Sequence, residues 1–244
     1  MNQNSPLGTN RTGITVAPER SQAMLTGMDE FPPTSQGSAQ DLAQVRMAYA
    51  QIAEPVGSMP LPARLKDQLQ TAVKAVQGEK PMLLMDKLGE RLAFERTGTR
   101  LYEALVSKYD AFGSFAGGPS REDLEHVLRE EFNHFMMLHS TIEQFGGDPT
   151  AVTPSANLQA TAGHGIGMVI ADPRTTLLQS LEAILIAELA DNACWEALIE
   201  LAQDAGEDDL IRQFERALEH EREHLQKVTA WVAAGQGRTQ DGGE

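Results

Sequence analysis

Two short motifs carry the chemistry that this sequence offers, Glu131-Phe-Asn-His134 and Glu221-Arg-Glu-His224, each a carboxylate and an imidazole three residues apart. Both lie in segments with apolar residues at helical spacing, and residues i and i+3 share one face of a helix. Two further segments of the same kind put Glu95 and Glu188 on their apolar stripes, with Asp191 three residues after Glu188. Acid on four apolar faces needs a physical reason. A buried ionised carboxylate costs on the order of several kcal/mol, so four converging in one core would protonate or unfold the chain unless cations neutralise them. Two divalent ions against four glutamates, with two neutral imidazoles, make a site of no net charge. Carboxylate with imidazole and no thiolate suits iron or manganese rather than a structural zinc site.

A single Glu-x-x-His arises often on exposed helices, but two copies on apolar stripes are not explained that way. His220-Glu221-x-x-His224 also fits the zinc-protease pattern, in which both histidines bind metal and Glu221 is the base. His220 falls off the apolar stripe, however, and no third ligand follows it. Tyr102 reads either as a core aromatic or as a redox-active or ligand-positioning side chain. The glycines of Gly163-His-Gly-Ile-Gly167 lack the preceding strand and the Lys-Ser/Thr of a phosphate-binding loop.

Four long helices must position these groups. The first runs from Pro81 through Leu84, Leu88, Leu92, Glu95 and Tyr102, and Ser120-Arg-Glu-Asp123 reads as a capping box opening the second, which ends at Gly146-Gly147. About 25 residues without helical period follow, enough extended chain to return to the far end of a bundle. Asp172-Pro173 then reads as an N-cap with proline at the first helical position, opening a third helix over about Thr175 to Ala205. Gly206 turns the chain into a fourth, with Leu210, Phe214, Glu221, His224, Val228 and Trp231 on one stripe.

The fold expected is therefore all-α, with antiparallel pairs of helices joined by one long crossover over residues 81–234. Residues 1–40 are expected as a disordered arm, 41–80 as an extension with short helices over Ser38–Glu54 and Pro62–Gln77, and 235–244 as a flexible tail. Packing on the outside or a homodimer contact accounts for the two short helices. A net charge of −15 over 244 residues argues against nucleic acid, and no apolar run suits a membrane span. With a lone Cys194 and no signal-peptide pattern at the N-terminus, the cytoplasm is the compartment expected.

The set Glu95, Glu131-x-x-His134, Glu188 and Glu221-x-x-His224 resembles the ferritin-like superfamily of carboxylate di-iron four-helix bundles, which includes ferritins, bacterioferritins and rubrerythrins. Order, one ligand group per helix and the long crossover all match, over roughly residues 82 to 232. Tyr102, seven residues after Glu95, matches a tyrosine near the site in bacterioferritins and ferritins, and Asp191 stands where rubrerythrins carry an extra carboxylate. The resemblance implies two iron ions per chain, or manganese with iron, reacting with O2 or H2O2 as an oxidase or peroxidase in oxidative stress. Glu95 and Glu188 would flank or bridge the metals, Glu131 with His134 serving one and Glu221 with His224 the other. Asp191 would be a ligand or an acceptor for a ligating histidine. Phe132 stands where a bacterioferritin has its haem-ligating methionine, so no haem is expected. The chain lacks a four-cysteine centre, so the electron donor would be a separate one. Iron storage or transfer without an organic substrate, and a metal-stabilised interaction protein, remain the alternatives.

Overall fold

The computed structural model describes residues 17–32, 34, 37–57, 59 and 81–237 of the chain. Among them are seven helices and no strand: α1 Pro18–Glu30, α2 Ala39–Ile52, α3 Pro81–Phe112, α4 Arg121–Gln144, α5 Pro154–Ala171, α6 Leu177–Asp204 and α7 Asp208–Gly235. The chain divides into two compact units, Met1–Glu54 and Pro55–Glu244.

In the first unit α2 forms where the short helix was expected, opened by a capping box in which Ser38 and Asp41 each bond the other's backbone N–H. Its apolar residues, among them Leu42, Val45, Tyr49 and Ile52, are all exposed. The arm expected to be disordered over 1–40 contains α1, which begins with Pro18 at its first turn and buries none of its residues. Residues 1–16, and the second short helix expected over 62–77, lie outside the described residues.

The second unit is built on the four long helices. The predicted capping box opens α4, with Asp123 N–H donating to Ser120 Oγ at 3.1 Å and Ser120 N–H to Asp123 Oδ2 at 2.8 Å. Gly146 and Gly206 take φ of 76° and 70°, left-handed conformations that stop α4 and α6. Two apolar clusters run across all four helices. One joins Leu84, Leu88 and Leu92 of α3 to Leu138 and Ile142 of α4, Trp195 and Leu198 of α6, and Leu210 and Phe214 of α7. The other joins Leu101, Tyr102 and Leu105 to Leu124 and Val127, Leu177, Leu181 and Ile184, and Val228 and Trp231. The start of α3 thus meets the end of α4 and of α6, and the start of α7 meets the end of α6, so each of these neighbours is antiparallel.

The crossover differs from expectation. Residues 154–171 form helix α5, which lies against α3 and α6. Its sequence is mostly alanine, glycine and polar residues, and only Ala156 and Ile170 are buried, so no stripe of large apolar residues announces it. Thr153 caps it, accepting from Ala156 N–H at 3.2 Å and donating to Asp86 O of α3 at 3.0 Å. Ser155 adds bonds to the Asp86 carboxylate. At the far end the buried Lys108 ammonium donates to the backbone carbonyls of Asp172 and Thr175 at 2.9 and 2.7 Å. Asp172 closes α5 and does not open the next helix. That helix starts at Leu177, because Thr176 and Gln179 supply the complete capping box there.

Gly89 of α3 lies under Thr153, where a Cβ would overlap the threonine side chain, while Gly165 of α5 has open space around its Cα. Thr153 is β-branched, buried and tied by two bonds, so it cannot yield. Gly89→Ala should therefore destabilise the protein by about 1–3 kcal/mol despite alanine's better helix propensity. Gly165→Ala should stabilise it by about 0.5–1 kcal/mol. Both are read as shifts of the urea midpoint at constant slope.

Candidate metal centre

Between the two apolar clusters each long helix contributes one polar layer. In sequence it falls after Leu92 and before Leu101 on α3, between Val127 and Leu138 on α4, between Ile184 and Trp195 on α6, and between Leu218 and Val228 on α7. Glu95, Glu131, His134, Glu188, Asp191, Glu221 and His224 fill it, and all are buried. The structure therefore brings together every ligand that the sequence singles out. Their side-chain donor atoms fall into overlapping groups whose members lie within 4.8 Å of one another. One group is Glu131, Glu188, Glu221 and His224. A second is Glu95, His134 and Glu221, and a third is Glu95, Glu131, Asp191 and Glu221.

Glu221 belongs to all three groups, and Glu95 and Glu131 to two each, so Glu221 takes the central place. Glu95 with His134 and Glu188 with His224 stand at the two ends. The motif spacing pairs Glu131 with His134 and Glu221 with His224; Glu221 and His224 do share a group, while His134 falls with Glu95 and Glu221, and Glu131 with His224. The carboxylate of a Glu-x-x-His reaches the middle of the layer, and its imidazole lies to one side of it.

Several buried atoms have no hydrogen-bond partner: Glu95 Oε2, Glu131 Oε2, Glu188 Oε2 and Glu221 Oε1. Such atoms are rare in a folded core, and four carboxylate oxygens of this kind in one layer are compatible with a bound cation. His134 Nδ1 lies 2.7 Å from Glu221 Oε1, yet the approach lacks the alignment of a hydrogen bond. The two atoms turn toward one point, as ligands of one metal would. His224 Nδ1 likewise faces inward, 3.1 Å from Glu221 Oε2 and 3.6 Å from Glu131 Oε1. The residues present fit a dinuclear carboxylate and imidazole centre.

The outer ring nitrogens are held as well. His224 Nε2–H donates to Glu130 Oε2 at 2.9 Å, and His134 Nε2 lies 3.2 Å from His220 Nδ1, with the two rings stacked. These contacts present Nδ1 of each histidine to the centre. They also give His220 a role other than that of a zinc-protease ligand. Tyr102 O–H donates to Glu188 Oε1 and leaves the other oxygen free. Asn192 Nδ2–H bonds the backbone carbonyls of Glu188 and Glu221, both at 3.0 Å, and so locks α6 to α7 at the level of the site.

Sequence reasoning missed three participants. Arg91 is fully buried and its Nη2 pairs with both Glu95 Oε1 and Asp191 Oδ1. Its guanidinium also lies over Phe94 and Trp195, 4.6 and 5.2 Å from the ring centroids. Asp191 thus serves an arginine and not a histidine. Glu130 is the second, shielded beside Glu131. Gly98 is the third: a Cβ there would overlap Glu131 Oε2, so α3 can approach that carboxylate only without a side chain. Arg91 four residues before Glu95 and Gly98 three after it share the inner face of α3, which is the signal the sequence held.

Protons offset part of the buried negative charge. Burial opposes a charge on His134, but Glu221 and Glu95 outweigh it and push the imidazole up to about 10. His224 is raised too, burial being overcome by Glu130, Glu131 and Glu221. Burial and then Glu221 push Glu188 up to about 8. Glu221 goes the other way, held far below the usual carboxylate range because the two histidines outweigh burial.

In comparisons with known proteins no family model, curated protein or solved structure matches this chain. The functional reading rests on the residues of the site.

Two outcomes follow from the geometry and charge. At pH 7 His134, His224 and Glu188 of the metal-free protein carry protons that ligands cannot keep, so metal binding should release about two or more. The calorimetric enthalpy will then depend on the buffer's ionisation enthalpy with that slope, and affinity will rise between pH 7 and 8 as Glu188 loses its proton. A slope of zero would show the site already deprotonated. Gly98→Ala should displace Glu131 and weaken metal binding about tenfold or more, read by equilibrium dialysis, with helix content unchanged.

Proposed function

We propose that this chain is a ferritin-like four-helix protein whose centre holds two iron ions, or manganese with iron, and reacts with O2 or H2O2 as an oxidase or peroxidase. The observation that carries this reading is the ring of four unpartnered carboxylate oxygens with two inward imidazole nitrogens, shared among all four helices. Four glutamates and Asp191 against Arg91 leave four negative charges, which two divalent cations balance. The oxygen-rich donor set without sulfur favours iron or manganese, and unsymmetrical carboxylates suit a metal that changes charge.

Bound iron would supply the redox change and the coordination positions at which the oxidant is reduced. The protein's own part is legible in the side chains. Glu95, Glu131, His134, Glu188, Glu221 and His224 would hold the metal, with Glu221 common to the candidate groups. Glu130 and His220 keep the imidazoles in one tautomer and orientation. Tyr102 fixes Glu188 by its O–H and stands as the nearest phenol to the centre. The clusters around Trp195 and Phe214 on one side and Tyr102 and Trp231 on the other exclude water, which keeps the carboxylate charges unscreened. Among the described residues no helix is long and apolar enough to cross a membrane.

Purified protein reconstituted with ferrous iron should hold about two metal ions per chain, and hydrogen peroxide should produce a rapid absorption change in the visible and near-ultraviolet. Glu131→Ala should abolish dinuclear binding, because it removes a carboxylate that belongs to two of the candidate groups. Stoichiometric metal without any optical response would favour a structural role, and retention of two metals by Glu131→Ala would overturn the assignment.

A further inference from the structure

The two ends of the centre are built differently. At the Glu188 end the fixed carboxylate oxygen accepts from a neutral phenol, and four ligand residues gather: Glu131, Glu188, Glu221 and His224. At the Glu95 end three gather, Glu95, His134 and Glu221, and the fixed oxygen of Glu95 is ion-paired to a guanidinium. Arg91 is the one permanent cation buried with the carboxylates among the described residues of the layer, and it touches the same two acids, Glu95 and Asp191, that make up half of the third ligand group.

From this we infer that Arg91 is a positioning and specificity-determining residue, a built-in cation that competes with the second metal for Glu95, so that the centre loads in order. The first metal binds tightly at Glu131, Glu188, Glu221 and His224, and the second binds more weakly and exchangeably at Glu95, His134 and Glu221. The inference rests on the metal-centre reading above and deepens it.

The physical argument has three parts. A like charge beside a metal position lowers its affinity, and burial keeps that repulsion from being screened. A metal on Glu95 Oε2 must share that carboxylate with Arg91 on Oε1, a competition that the Glu188 end does not carry because Tyr102 is neutral. Arg91 finally occupies Asp191, so the cage of Glu95, Glu131, Asp191 and Glu221 is already served by a guanidinium. Asp191 in turn retains Arg91 when Glu95 turns to the metal, which prevents a lone buried cation. Phe94 and Trp195 hold the guanidinium plane in place through the exchange.

Titration of the metal-free full-length protein with Mn(II), followed by calorimetry and by electron paramagnetic resonance, tests the order. Up to one equivalent the expected spectrum is the six-line signal of an isolated Mn(II). It should give way to a coupled signal only as the second equivalent binds, at an affinity about tenfold or more lower. His134→Ala should lose the weak phase alone, and His224→Ala the tight phase. The double variant Arg91→Met, Asp191→Asn removes the competing cation without leaving a buried charge, and should bring the two affinities within about threefold. A coupled signal from the first additions of metal to the wild type overturns the inference, as does a double variant that folds and keeps the tenfold separation. The wild-type spectrum decides the order of loading even where the double variant fails to fold. No binding of Mn(II), Fe(II) or Co(II) by the wild type would instead defeat the metal-centre reading beneath it.

Discussion

The burial of like charges in one layer is the constraint on which the rest of this molecule depends. Glu95, Glu131, Glu188, Asp191 and Glu221 are all buried in one layer, in overlapping groups whose atoms lie within 4.8 Å of one another, and no arrangement of apolar packing can make that favourable. What makes it tolerable is a supply of positive charge from three kinds of source. Arg91 is permanent, the imidazoles can take protons, and under the proposed function metal ions would meet the remaining carboxylate oxygens. The apolar clusters on either side raise the stakes by keeping water out. They also fix four helices rigidly enough that the carboxylates cannot simply turn away.

Much of this is visible in the sequence because charge on an apolar stripe is a strong signal. Leu92, Glu95 and Tyr102, or Phe214, Glu221, His224 and Val228, show both the helical face and the polar interruption within it. The four long helices and the capping box of Ser120 and Asp123 are legible for the same reason, since each has a local rule that nothing overrides. What escapes is whatever has no large apolar residue or no local partner. Helix α5 buries only Ala156 and Ile170, so its period is silent. Asp172 fits a helix start as well as a helix stop, and the bonds from Lys108 that settle the matter come from more than sixty residues away.

The centre shows the same division. All seven expected ligands converge, but which of them bridge is a question of side-chain reach across helices, and spacing within one helix does not answer it. Arg91 looks on paper like a surface helix residue with an i+4 glutamate, and only the approach of Asp191 from α6 makes it an interior group. Gly98 carries no chemistry of its own, and its meaning lies wholly in the carboxylate that fills the space above it.

The division of ligands between α3 with α4 and α6 with α7 has a bearing on how the chain assembles. Each pair is an antiparallel hairpin with a short connection, able to form from contacts close in sequence, whereas docking one pair on the other must wait for the crossover to close. A hairpin alone keeps its acids at an open edge, where water solvates them. Only in docking are the carboxylates of both halves driven together, so the electrostatic cost of the centre falls on the latest step of folding. Protons or metal ions present at that moment act on the height of a barrier as well as on the depth of the final well.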